Sequence, residues 1–154
     1  MLLARMNKKL SIFFLVFALL GFLDATYLTI QHFMGAIPPC LIADGCSTVL
    51  TSKWSVLLGL PVALWGAIYY LLVLALAIIC LKKPSKNLTL ATVLFSTLGF
   101  IASIWFVSLQ LFVIKQICFY CTISALTSTA LFITGVFMIL PSNRKVDDVL
   151  QKVD

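Results

Sequence analysis

The chain has 154 residues, 62% of them hydrophobic and only 10% charged, with a net charge of +6. A water-soluble domain normally has roughly a quarter of its residues charged, so this composition excludes a soluble globule and predicts one small membrane domain over 1–154. Its eleven basic residues sit in short clusters beside apolar runs, which makes them topology signals rather than a phosphate-binding face and excludes nucleic acid as a partner.

A hydrocarbon core roughly 30 Å thick takes about 20 helical residues to cross. Four runs reach that length, at about 10–33, 56–81, 88–113 and 118–140, and none alternates in polarity as barrel strands do. The predicted fold class is therefore an all-α integral membrane protein, a four-transmembrane-helix bundle whose backbone groups bond within each helix. The first run is too long for a signal-peptide core and lacks a small-x-small cleavage site, so it is expected to remain as a span. Arg5, Lys8, Lys9, Lys82, Lys83, Lys86, Arg144, Lys145 and Lys152 flank one side, and only Lys53 and Lys115 the other. This asymmetry predicts a multi-pass protein of the cytoplasmic (inner) membrane with both termini in the cytoplasm.

In the first span Asp24 is the one ionisable residue deep inside any helix, nine residues from the outer end, roughly 13 Å at 1.5 Å per residue. A charged carboxylate there costs several kcal/mol. The expectation is a neutral carboxyl bonded to Thr26, Tyr27 or another helix; the alternative is a proton relay, for which the sequence offers no second member. His32, near the outer interface, is expected to be a solvated anchor. The external loop, 34–55, opens with Pro38-Pro39, which forces extended backbone before Cys40. Asp44-Gly45 then turns the chain so that Cys46 comes back toward the bundle. Residues 46–54 suit a helical turn or two lying on the bundle mouth as a lid.

The second span carries Gly59, Pro61 and Gly66 in its outer half, where a proline in the first turns is tolerated and small residues permit close approach. Trp54, Trp65, Trp105, Tyr69 and Tyr70 are interface belts or pocket walls, with belts expected near helix ends. Cys80 is expected to act as a small buried hydrophobe. The turn at 82–86 and the tail at 141–154 are expected to be solvated connectors.

The fourth span opens on Cys118-Phe119-Tyr120-Cys121. At a helix start, exposed N–H groups and the dipole lower a leading thiol from about 8.5 into the range 3.5–7.5, so Cys118 is the more thiolate-prone of the two. Cys121 lies deeper, with Ser124, Ala125 and Ser128 below it on the same face, a stripe that leaves room for a planar ligand. By the predicted topology Cys40, Cys46, Cys118 and Cys121 all face the oxidising side. Two such pairs can exchange a disulfide through a mixed disulfide, and burial in lipid makes a membrane quinone the expected final acceptor. Inert staples are the alternative for Cys40 and Cys46. They are a poor account of Cys118 and Cys121, because a disulfide within one helical turn closes almost no loop. A soft metal site for zinc, copper or mercury is a rival from another class, disfavoured because no second close pair exists.

The ordered set of Cys40, Cys46, Ser52, Trp54, Gly59-Leu60-Pro61 and Cys118-Phe119-Tyr120-Cys121 resembles the vitamin K epoxide reductase family in its bacterial form, across essentially all four helices. The resemblance implies an oxidoreductase in which the external loop caps a quinone pocket. Cys40 engages a thioredoxin-like, DsbA-like partner, Cys46 attacks Cys118, and Cys121 lies beside the quinone, either ubiquinone or menaquinone. Ser52 and Trp54 match loop positions near that pocket, and Ser124, Ala125 and Ser128 line it. Animal members carry Tyr where this chain has Ala125, which argues against vitamin K epoxide chemistry. Many bacterial members continue into a thioredoxin-like domain; ending at Asp154, this chain is expected to use a separate partner protein. The DsbB type of membrane oxidase is less similar because its Cys-x-x-Cys comes first.

Overall fold

Long apolar runs become helices here even across the single glycines Gly21, Gly66, Gly99 and Gly135. A computed structural model describes residues 8–39, 45–83 and 85–139. Cys40, Arg5, Asp44 and the expected tail with Arg144, Lys145 and Lys152 lie outside those residues. The elements are α1 (Lys8–Phe33), α2 (Gly45–Leu50), a 3-10 turn (Lys53–Ser55), β1 (Val56–Leu57), β2 (Leu60–Pro61), α3 (Val62–Lys82), α4 (Lys86–Ser108), a π-helical segment (Leu109–Ile114) and α5 (Phe119–Ile139). Four helices among the described residues are long and apolar enough to cross a membrane. The protein is an all-α, four-helix membrane bundle.

The second membrane-spanning helix, α3, begins at Val62, six residues after the start of the apolar run. Residues 56–61 instead form a two-stranded antiparallel hairpin pairing Val56 with Pro61 and Leu57 with Leu60. Its two-residue loop, Leu58 and Gly59, has φ of 55° and 79°, the paired positive values of a tight hairpin turn that glycine adopts most readily. Pro61 then stands immediately before α3 in extended conformation, not inside its first turn. The indole N–H of Trp65 donates to the Leu57 carbonyl at 3.2 Å, tying the hairpin to α3.

Within the bundle α1 packs along α3 and α5, α4 packs along α5, and α3 meets α4 more sparsely. The central cluster comprises Phe14, Ala18, Ala25, Ala67, Tyr70, Val73, Ala77 and Leu131. Small side chains dominate it, as expected where association in lipid depends on close packing. Hydroxyls inside the spans bond back to their own helix: Thr29 to the Ala25 carbonyl at 2.7 Å, Thr92 to Leu88 at 2.9 Å and Ser96 to Thr92 at 2.8 Å. Such bonds let polar side chains sit in an apolar environment. Cys80 is buried with its sulfur 3.3 Å from the Thr89 hydroxyl, joining α3 to α4 at the end remote from the cysteine pair.

Candidate active site

The start of α5 is held by the segment before it. The π-helical turn ends at Lys115, whose left-handed φ of 58° reverses the chain. Gln110 organises this reversal. Its backbone carbonyl accepts from Gln116 N–H at 3.1 Å, and its side-chain Oε1 accepts from Cys118 N–H at 2.9 Å. Cys118 therefore caps α5 while its own N–H is satisfied from the π-helical segment. Its carbonyl accepts the backbone N–H of Thr122 at 3.0 Å and the Thr122 hydroxyl at 2.9 Å.

The Cys118 thiol sits where a helix can stabilise an anion. A hydrogen bond from the Cys121 thiol lowers it to about 7, with help from the backbone N–H groups of Cys121 and Tyr120 and opposition from burial. Cys118 is wholly buried and shares one cluster with Cys46, also wholly buried, and Val49, with Leu50, Ile114, Phe119, Tyr120 and Cys121 packed around them. The lid helix α2 thus carries Cys46 onto the first residue of the Cys-x-x-Cys pair. The approach is close: a Cβ on Gly45 would collide with the Ile117 carbonyl oxygen. Cys46 is disulfide-bonded, whereas Cys118 and Cys121 are free thiols. Cys40 lies outside the described residues.

Cys121, packed on that cluster, also borders a largely apolar cavity of about 470 Å³ among α1, α3, α4, α5 and the lid, which Cys118 does not line. Ser52, Trp54, Ser124, Ala125 and Ser128 line it too, so these positions and Cys121 meet around one space of the size typical of small-molecule sites. The Ser52 hydroxyl donates to the Val49 carbonyl at 2.8 Å, closing the end of α2, and Lys53 Nζ lies 5.3 Å from the centre of the Trp54 ring. Tyr120 donates to the Pro39 carbonyl at 3.2 Å and packs on Tyr27, with ring centres 5.5 Å apart. These contacts fasten the start of the loop over the mouth.

Several positions differ from expectation. Trp54 and Trp65 are cavity walls rather than interface belts, and Tyr69 and Tyr70 also line the cavity. Tyr70 is buried, donates to the Ser124 carbonyl at 2.7 Å and lies 2.8 Å from the Thr127 hydroxyl, tying α3 to the helix that carries the thiols. His32 is exposed, as a solvated anchor should be, but it also borders the cavity. Asp24 lines the cavity, and its Oδ2 is buried with no hydrogen-bond partner, so the expected bond of that oxygen to a neighbour is not made. Gln110 was the residue that sequence reasoning passed over. The available signal was a lone carboxamide in the apolar stretch before the Cys-x-x-Cys pair. Among the described residues no three His, Cys, Asp or Glu side chains gather as a metal site would require.

A membrane helix bundle with one thiol of a Cys-x-x-Cys pair packed against a loop cysteine, and the other on an intramembrane cavity, has the form of a membrane thiol–disulfide oxidoreductase. The model of the vitamin K epoxide reductase family matches residues 12–136, and the chain belongs to that family. It is accordingly a membrane oxidoreductase of the disulfide-generating kind, and quinone linkage is the general role of its family.

Proposed function

We propose that the protein oxidises a separate thioredoxin-like, DsbA-like protein at the outer face of the cytoplasmic membrane and passes the electrons to a membrane quinone, ubiquinone or menaquinone. The observation that carries this reading is that Cys121 forms part of the wall of a largely apolar cavity while its partner Cys118 is sealed from that cavity's contents and packed against Cys46. The distribution of nine basic residues on one side and two on the other supports placing all four cysteines outside.

In the proposed cycle a thiolate of the reduced partner attacks Cys40, breaking the Cys40–Cys46 bond and leaving the electron pair on Cys46. The partner's second thiol then attacks its own mixed disulfide, releasing the oxidised partner and free Cys40. Cys46 attacks Cys118, breaking the Cys118–Cys121 bond and leaving Cys121 reduced. Cys40 attacks Cys46 and expels Cys118 as a thiolate. A leaving thiol of lowered pKa departs faster, which is the use this scheme makes of the Cys118 environment. The dithiol so formed gives two electrons to the acceptor in the cavity. Tyr70, Gln110 and the lid hold α5 and Cys46 in register for these exchanges.

The decisive experiment is reduction of a quinone by the purified protein in detergent, driven by a reduced thioredoxin-fold donor and followed by the quinone absorbance. Turnover that disappears in Cys121→Ser and in Cys118→Ser supports the reading. Full turnover in both variants refutes it.

A further inference from the structure

Three buried side-chain oxygens bordering the cavity lack hydrogen-bond partners: Asp24 Oδ2 from α1, Tyr69 Oη from α3 and Ser128 Oγ from α5. An unbonded polar oxygen in such surroundings is costly, and three of them on three helices around one space is a pattern that a ligand relieves. They fall into two groups at different depths. The Tyr27–Tyr120 ring contact fixes the level of α1 against α5. Asp24, three residues below Tyr27, is then roughly 4–5 Å deeper, between Cys121 and Ser124. Ser128 lies seven residues beyond Cys121, about 10 Å along α5. Tyr69 is drawn to the Ser128 level, where the two hydroxyls approach each other. Gly99 of α4 admits the Tyr69 phenol there, since a Cβ at that position would collide with it.

We propose that Asp24 is the proton-transfer group for the cavity acceptor, and that Tyr69 with Ser128 holds the acceptor's far oxygen, so that the ligand class is a molecule with an oxygen at each end of a flat ring. This rests on the quinone-reducing function proposed above. The electron balance assigns the proton. Cys118 thiolate and Cys121 thiol lose two electrons and one proton as their S–S bond forms, and reduction of the acceptor consumes two electrons and two protons. The Asp24 carboxyl, within electrostatic reach of both sulfurs, gives its proton to the nearer oxygen and is restored by the proton that Cys121 releases. The second proton balances the one Cys118 shed on ionising and is taken up from water by the far oxygen as the reduced acceptor leaves the cavity. The neighbouring carboxyl gives the thiol proton a path that bulk water cannot supply inside an apolar cavity.

The test uses the full-length protein in detergent, a small dithiol as reductant and a short-chain ubiquinone analogue as probe. Its binding is read independently of turnover from quenching of tryptophan fluorescence, since Trp54 and Trp65 line the cavity. Asp24→Asn should lower kcat at least about tenfold, within the usual range for removal of a general acid or base, while the quenching Kd stays within about twofold. Asp24→Glu should restore part of the rate. Tyr69→Phe combined with Ser128→Ala should raise the quenching Kd at least roughly threefold, as loss of hydrogen bonds predicts. A smaller fall in kcat for Asp24→Asn, or one matched by an equal loss of binding, overturns the proton role. An unchanged Kd in the double variant overturns the far pole. If the unaltered protein neither reduces the analogue nor shows quenching, the quinone function itself fails and this array falls with it. Retained quenching and turnover with normal Asp24→Asn kinetics would strike the inference alone.

Discussion

Replacing Cys121 by Ala removes the donor that contributes most to the acidity of Cys118. The thiol now titrates at about 7 against an ordinary value of 9.0. Once the Cys121 bond is lost, burial still disfavours the anion and only the backbone N–H groups of the helix start still favour it. The midpoint should therefore rise to at least about 8. At neutral pH this takes the thiolate fraction from about one half to roughly one in ten or less. The direction follows from the charge: the bond stabilises the anion, so removing it makes ionisation require a higher pH. Cys121→Ser keeps a donor in place and should retain much of the effect. The assay is a pH titration of thiolate absorbance in the reduced protein, with Cys118→Ser as the blank, which needs no reagent to reach a buried sulfur. A midpoint that stays at about 7 in Cys121→Ala would refute the argument, because it would make the helix start sufficient without the second thiol.

In Cys121→Ser no Cys118–Cys121 bond can form, so the exchange left is attack of the Cys118 thiolate on the oxidised loop pair at Cys46, which expels Cys40 and joins Cys46 to Cys118 with no second thiol in α5 to displace Cys46. Peptide mass spectrometry after rapid alkylation should find this cross-link in protein whose loop pair is oxidised, and its absence there would contradict the relay. Gln110→Leu leaves the buried Cys118 N–H without its acceptor and should destabilise the bundle by about 1–3 kcal/mol, read as a lowered midpoint of thermal unfolding in detergent. Gln110→Glu, which keeps an acceptor oxygen, should be milder. Gly99→Ala introduces a Cβ where the Tyr69 phenol lies and should push that ring into the cavity. Tryptophan quenching should then report several-fold weaker binding of the quinone analogue while the thiolate titration of Cys118 is unchanged.

How much of this arrangement could be read in advance depends on the kind of information each part uses. The number and rough extent of the spans follow from local hydropathy, because a helix in lipid is specified by the length of its own apolar run. The start of α3 was misjudged for the same reason. Val56 to Pro61 is apolar throughout, and apolarity cannot separate a helix from a short hairpin. The Gly59 and Pro61 pair carried the distinction, since Gly suits a positive φ and Pro favours a place before the helix. The stripe of Ser124, Ala125 and Ser128 was legible from spacing because all three lie on one helix. Tyr70, Gln110, Tyr69 and Gly99 were not, since each owes its role to a partner on another element. No periodicity within a single segment reveals that a carboxamide in the π-helical turn will hold the N–H of Cys118, or that a glycine on α4 will admit a phenol from α3.

The division of the two sulfurs between separate environments bears on how electrons are kept on their path. Cys118 has no exposed surface and packs with Cys46, whereas Cys121 borders the cavity. The two residues are three apart on one helix, so their sulfurs can join directly while having different neighbours. Had both faced the cavity, the acceptor could oxidise any thiol that entered, and selectivity for electrons arriving through Cys46 would be lost. Had both faced the lid, the acceptor would need to reach a packed interface closed by Gly45 against Ile117. The helix start resolves this conflict because its first residue lies outside the coil and its fourth lies within it. An insertion of one residue between Cys118 and Cys121 would rotate the second sulfur by about 100°, away from the cavity wall. Such a variant should still form mixed disulfides through Cys118 yet lose quinone reduction. Retained quinone reduction would mean that the orientation of Cys121 toward the cavity is not what couples the thiols to the acceptor.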